Sequence, residues 1–205
     1  MPSNGVETPV SPHVRDKRRR RREEILRAAL RAFRDKGYHA TTLDDIAERL
    51  GVRKTALYHY FPDKEAILYE CHRESLAEIR RLMAAAAKGS GTAAERLSFV
   101  VCEHVRVMIE TLEGSPLAVE VTALSAEHQA DVIAARDRYE RELRRIIDRG
   151  VKNGEFRAID SKIAVFAILG AINWIARWYR PDGAVKAPEL GKQFADYLVG
   201  GLTCR

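Results

Sequence analysis

The stretch TLDDIAERLGVRKTALYHYF, residues 42–61, holds two short helical patterns on either side of a glycine. Thr42 precedes Asp45 by three positions, the spacing at which a hydroxyl and a carboxylate satisfy the free N–H groups that open a helix. Ile46, Ala47 and Leu50 give that helix an apolar side, and Gly51 ends it. Val52 is placed to plug the turn, and a second helix is expected from about Lys54 to Tyr60. In it Leu57 and Phe61 stand at i, i+4 and turn inward with Ala56, which leaves Lys54, Thr55, Tyr58 and His59 outside. One helix cannot bury Tyr58, His59 and Tyr60 together, so the outer rings need something other than the core to meet.

The flanks complete a unit. Upstream, Ile25, Ala28, Ala29, Ala32 and Phe33 share one face of a helix expected to begin at Glu23 and stop at Gly37. Downstream, Pro62 breaks the chain, and Asp63 is a natural cap for a long helix running to the alanines at 84–87. Two helices joined by a short glycine-containing turn, with a third packed on both, form a helix-turn-helix. The exposed tyrosine can offer its hydroxyl to a phosphate, and Lys64 can add a cation.

Charge points the same way. Residues 1–64 hold 15 Lys/Arg against 9 Asp/Glu, a net of +6, whereas residues 65–205 hold 20 of each. A basic module on an electrically balanced body implies a polyanion, with DNA, RNA and anionic membrane as candidates. Much of the excess is RDKRRRRR, residues 15–22. Two readings stand for it, a solvated arm or a contact to phosphates through counterion release, and both make it flexible without its partner.

The stretch EEILRAALRAFRDKGYHATTLDDIAERLGVRKTALYHYFPDKEAIL, residues 23–68, resembles the N-terminal domain of the TetR family of bacterial transcriptional repressors. The resemblance rests on Gly37, the Thr41–Thr42 pair, Asp45-Ile46-Ala47, the Gly51-Val52 turn, Leu57-Tyr58, Tyr60-Phe61 and Lys64-Glu65. It implies that Thr42, Tyr58, Tyr60 and Lys64 hold phosphates, and that Arg53, Lys54, Thr55 and His59 lie nearest base edges. At position 53 the family commonly has a capping serine. Arg53 instead leaves the second helix without that cap and frees a guanidinium for phosphate or guanine.

Beyond residue 92 the pattern stays helical. Leu97, Val101, His104 or Val105, Met108 and Leu112 form an amphipathic helix broken by Gly114 and Pro116, a further segment follows from Leu117, and a long charged helix spans about Gln129 to Lys152. Two helices at about Ser161–Tyr179 and Glu189–Leu202 read as apolar almost all round. Such helices need cover on two sides, and Ala164, Ala167, Gly170, Ala171, Gly200 and Gly201 permit close approach, so a homodimer through a four-helix bundle is expected. A two-fold dimer sets its recognition helices about 34–36 Å apart, which calls for a palindromic operator in double-stranded DNA.

NWIARWYRPDG, residues 173–183, places Trp174, Arg177, Trp178 and Arg180 at a helix end. The cluster reads either as core and interface filler beside a helix dipole or as the lining of an effector pocket. With the residues that follow, it resembles the C-terminal region of TetR-type repressors that respond to acyl-CoA thioesters, including those of fatty-acid and steroid degradation. That implies a small-molecule effector whose anionic part meets Arg177 and Arg180. Trp174 and Trp178 would take the planar or alkyl portion, and Val105, Met108 and Leu112 the deeper apolar chamber. A repressor sensing an unrelated hydrophobic or cationic compound, and a constitutive DNA binder, are the alternatives.

The expected fold is all-α: a basic disordered arm over residues 1–22, a three-helix helix-turn-helix domain over 23–68, and a helical ligand-binding and dimerisation domain over 69–205. No catalytic constellation is visible, and no cofactor or metal is expected. The six histidines show no metal-ligand spacing, and Cys71, Cys102 and Cys204 show no paired spacing, which suits a reducing cytoplasm. His104, on an apolar face, reads as a hydrogen-bonded core residue. The longest apolar run, residues 164–176, falls short of the roughly 20 residues that span a bilayer, and the N-terminus lacks the apolar segment of a signal peptide.

Overall fold

A computed structural model describes residues 12–113, 117–180 and 182–203. Three helices, α1 (Pro12–Lys36), α2 (Leu43–Arg49) and α3 (Lys54–Tyr58), form the N-terminal unit, and α4 (Lys64–Lys88) leads out of it. α5 (Ala93–Arg106) continues into a π-helical turn, Val107–Thr111, and a 3-10 segment, Leu117–Ala123, precedes α6 (Ala126–Lys152), α7 (Ser161–Trp178) and α8 (Ala187–Gly200). The all-α expectation holds.

The helix-turn-helix forms as its residues require. Thr42 and Asp45 close a capping box on α2, Asp63 caps α4 by accepting from the Ala66 amide at 2.7 Å, and Gly51 turns the chain at φ +63°, where a side chain would be strained. Ile25, Leu26, Phe33, Ile46, Leu57 and Phe61 are buried together, so α1 is the wall against which α2 and α3 set their angle. Fully burying a side chain such as Leu57 stabilises by about 1.5–3 kcal/mol.

One helix boundary differs from the sequence reading by more than a turn. Helix α1 begins at Pro12 rather than Glu23, and the run at 15–22 is helical rather than a flexible arm. Arginine and lysine are good helix formers, and Asp16, Glu23 and Glu24 supply i, i+3 and i+4 partners to Arg19 and Arg21. Residues 1–11, which complete the expected arm, lie outside the described residues, as do Gly114, Pro116 and Cys204.

In the C-terminal unit α5 lies closely along α8, because a Cβ on Gly191 would meet the Cys102 carbonyl oxygen at 3.0 Å and its Cα at 3.2 Å. Leu97, Val101, Leu143, Ile147, Val165 and Ile172 fill the space between α5, α6 and α7. The chain end is fastened by the Arg157 amide donating to the Leu202 carbonyl at 2.9 Å. Of the two helices expected to be apolar all round, α7 carries exposed Ile163, Phe166, Trp174 and Trp178, while α8 turns Glu189, Lys192, Gln193 and Asp196 outward beside Tyr197.

Candidate nucleic-acid interface and internal cavity

Thr42, at the entrance to α2, is exposed with both its donors engaged. Its amide and its hydroxyl each donate to Asp45 Oδ2 at 2.7 Å, and the Asp45 amide donates back to the hydroxyl at 3.1 Å. Lys36 also bonds Asp45, and this hydrogen bond together with those from Thr42 holds the Asp45 carboxyl well below the usual carboxylate range. Thr42 therefore meets a phosphate only by sharing protons that the cap already uses.

The outer side of α3 matches the expected face. Arg53 is the N-cap, makes no side-chain cap bond and is exposed. Thr55, Tyr58 and His59 are exposed beside it, with Tyr58 at 51%. Lys54 pairs with Asp44 at 3.1 Å, a contact that raises its pKa and that a nucleic acid would compete for. Tyr60 is half-buried, and its carbonyl accepts from Arg22 Nη1 at 3.0 Å while that guanidinium covers the Phe61 ring at 4.4 Å.

Lys64 departs most from the expected arrangement. Its ammonium donates to the carbonyls of Tyr38 (2.8 Å), Thr41 (2.7 Å) and His39 (3.3 Å) and lies 4.3 Å from the centre of the Tyr38 ring. An ammonium has three donors, and all three serve the turn between α1 and α2. In the helical N-terminus Lys17, Arg20 and Arg21 join Tyr60 around a cleft of about 490 Å³ that Asp16 and Glu24 also line.

A second feature is a half-open cavity in the C-terminal unit, which reaches the surface at Asn173. Met108 and Leu112 line this cavity of about 150 Å³ with Leu76, Ile79, His72 and Arg136. The His72 ring is 2% exposed and its Nε2 has no hydrogen-bond partner; burial, aided by the Arg136 charge, lowers its pKa to about 3. His104, also on the wall, is held by Tyr139 Oη at 3.0 Å from Nδ1, and burial lowers its pKa to about 4. His104 is thus the hydrogen-bonded core residue its position suggested. In the sequence Arg136 carries no motif, and His72 stands only as the neighbour of Cys71, from which it points apart on a helix.

The expected single pocket is not assembled within this chain. Val105 is fully buried in the core, and the cavity lined by Met108 and Leu112 includes none of Trp174, Arg177, Trp178 or Arg180. Those four are exposed, with Trp174 at 63% and Trp178 at 45%, and Trp178 leans on Phe194 of α8 at 6.3 Å between centres. The reason is helical phase: Leu169 and Asn173 turn α7 toward the cavity, which directs the two indoles outward.

The two units meet at named contacts. Glu113, just past the π-helical turn, has φ +51°, unusual for a side-chain-bearing residue, and receives Arg31 on its carboxylate at 3.2 Å and Arg34 on its backbone carbonyl at 2.9 Å. Glu65 of α4 accepts from the Ser125 amide at 3.0 Å and bonds His128 Nδ1 at 2.8 Å. Partial burial pushes the Glu65 carboxyl up, but the bonds from His128 and Ser125 outweigh it and hold the pKa down.

An exposed polar helix, α3, packed in a three-helix unit and joined to a helical body with a cavity is the arrangement of a DNA-binding regulator. The signature of bacterial regulatory proteins of the tetR family matches residues 25–71, and that of tetracyclin repressor-like C-terminal domains matches residues 90–202. The HTH-type transcriptional repressor KstR2 of Rhodococcus jostii (strain RHA1) is 33% identical over 193 residues, covering 89% of this chain and 91% of that protein. Among solved structures, the TetR family transcriptional regulator PfmR of Thermus thermophilus is 37% identical with a TM-score of 0.77, over 88% of this chain and 99% of that one. AibR, in complex with isovaleryl coenzyme A and operator DNA, is 25% identical with a TM-score of 0.76, over 89% of this chain and 98% of that one. The chain belongs to the TetR family. It is a TetR-type transcriptional repressor and not an enzyme. Among the described residues no helix is long and apolar enough to cross a membrane, and no side-chain group suits a metal ion.

Proposed function

We propose that the protein acts as a homodimer on a palindromic operator and is released from it when an acyl-CoA thioester of lipid or steroid catabolism enters the C-terminal cavity. The observation that carries this reading is the position of Glu113. It follows directly on Leu112, a cavity wall residue, and holds α1 through Arg31 and Arg34, so a ligand that displaces that wall acts on the DNA-reading unit. Support also comes from AibR, of similar fold, in complex with isovaleryl coenzyme A and operator DNA. A cavity of about 150 Å³ equals roughly five waters at ~30 Å³ each, room for a short acyl segment.

On the DNA side, Arg53, Lys54, Thr55 and His59 read base edges while Thr42, Tyr58 and Tyr60 hold phosphates, with Lys64 bracing the turn beside them. On the dimer side, Ile163, Phe166, Trp174 and Tyr197 present apolar surface that a second copy would cover.

The test is fluorescence anisotropy of a duplex from the protein's own upstream region, at about 50 and 200 mM salt, with and without isovaleryl-CoA and decanoyl-CoA. A steep salt dependence and loss of binding on adding a thioester are expected; DNA binding that no thioester alters refutes the effector assignment. Light scattering should give twice the 23.1 kDa chain mass, and Phe166→Arg should halve it.

A further inference from the structure

Three hollows lie in series along α4 and α6. The cavity shares Leu76, Ile79 and Tyr139 with a recess of about 230 Å³, and the recess shares Arg80, Met83, Arg138 and Glu142 with a groove of about 550 Å³. The groove has an apolar floor, Met83, Ala86 and Ala93, and a cationic rim. On α6, Arg138, Arg145 and Arg149 recur at helical spacing along one face, while Arg80 stands on α4 and Arg96 on α5.

Arg73, Arg81, Arg106 and Arg144 each hold a carboxylate, whereas the side chains of Arg80, Arg138, Arg145 and Arg149, like that of Arg141 outside the groove, make no ion pair or hydrogen bond among the described residues. Arg96 gives one Nη to the Gly89 carbonyl at 2.8 Å, but its enclosed Nε has no acceptor. Five guanidiniums around one groove, over an apolar floor and beside one acid, Glu142, suit an anion with several phosphates and a flat or alkyl portion. The groove is remote from the reading helix: Met83 lies nineteen residues beyond Lys64 on α4, about 28 Å at 1.5 Å per residue. The duplex held by α3 is therefore not its occupant.

We propose that this groove is the seat of the nucleoside-phosphate end of the effector, with the thioester arm crossing the recess past Tyr139 and the acyl group entering the cavity beside His72. The inference rests on the thioester reading given above and moves the anion site from Arg177 and Arg180 to the α4–α6 arginines. From Leu76 to Ala87 the path along α4 is about 16 Å, which an extended pantetheine arm spans.

Isothermal titration of the full-length protein decides it, with isovaleryl-CoA, coenzyme A and isovalerate as probes. The variants are Arg138→Ala/Arg145→Ala in the groove and Arg177→Ala/Arg180→Ala on α7; all four arginines are exposed, and unchanged melting temperatures confirm folding. Wild type is expected to bind isovaleryl-CoA and, more weakly, coenzyme A, with affinity falling as salt rises. The groove variant should lose roughly tenfold per arginine for both, and the α7 variant should bind as wild type. Equal binding by the groove variant, or loss confined to the α7 variant, overturns the groove assignment and leaves the thioester reading intact. Wild type that binds neither CoA probe overturns both, and binding of isovalerate alone overturns both in favour of a free-acid effector.

Discussion

Arg34 donates from Nη1 to the backbone carbonyl of Glu113 at 2.9 Å, which ties the DNA-reading unit to the loop that closes the cavity wall. The same loop residue holds Arg31 at 3.2 Å and sits at φ +51°, so two contacts to α1 depend on a strained backbone. Arg34→Met should leave the fold intact and operator affinity near wild type, while the ratio of affinities without and with isovaleryl-CoA shrinks several-fold. Coupling of this kind is typically about 1–3 kcal/mol, so its loss is readable by anisotropy. An unchanged ratio places the coupling elsewhere, with the Glu65–His128 contact as the next site to examine.

Arg53 occupies the N-cap of α3 and supplies no cap bond. Arg53→Ser should therefore stabilise the protein by about 0.5–1 kcal/mol while weakening discrimination at one base position per half-site. Tyr60→Phe, by contrast, should weaken binding to all operators about equally, since a phosphate contact carries no sequence information. Denaturant melts and a set of single-substituted operators check both. Equal loss across all operators from Arg53→Ser would reassign Arg53 to phosphate.

Much of this was legible in the sequence, for identifiable reasons. The capping box at Thr42 and Asp45, the break at Pro62 and the inward pair Leu57 and Phe61 are local signals, and the helices form where those residues place them. Two features were not legible. The helical state of residues 15–22 depends on ion pairs competing with like-charge repulsion, a balance that a run of arginines does not display. The separation of Met108 and Leu112 from the tryptophans depends on the phase of α7 against α6 and α5, which is set by long-range packing.

Lys64 serves the turn between α1 and α2 through three carbonyls. Lys64→Met should lower stability by roughly 2 kcal/mol, the order of one or two charge-assisted hydrogen bonds lost from a partly buried site. DNA affinity should fall with it, because the turn positions Thr42. A variant that keeps its melting temperature but loses DNA binding would show that the ammonium turns to phosphate in the complex.

His72 and His104 give the C-terminal unit a stability that fades in mild acid. Burial lowers both pKa values, to about 3 with help from the Arg136 charge and to about 4 respectively, so both rings are neutral when folded. Unfolded histidines take up protons near 6.5, hence the unfolded state binds more protons below that pH and stability falls as pH drops toward the folded values. At about 1.4 kcal/mol per pH unit for each group, lowering the pH from about 6.5 to 5 should cost on the order of 4 kcal/mol. Groups held below their ordinary range, Asp35, Asp45 and Glu65, act only in stronger acid, whereas Glu74, whose carboxyl burial pushes up, opposes the histidines as the pH falls. Urea melts at pH 7 and pH 5 should show the loss. His72→Leu should remove about half of it without destabilising the protein at pH 7, since it replaces a buried nitrogen that has no partner. Equal stability of the wild type at the two pH values would mean that the rings are hydrated or charged in the folded protein.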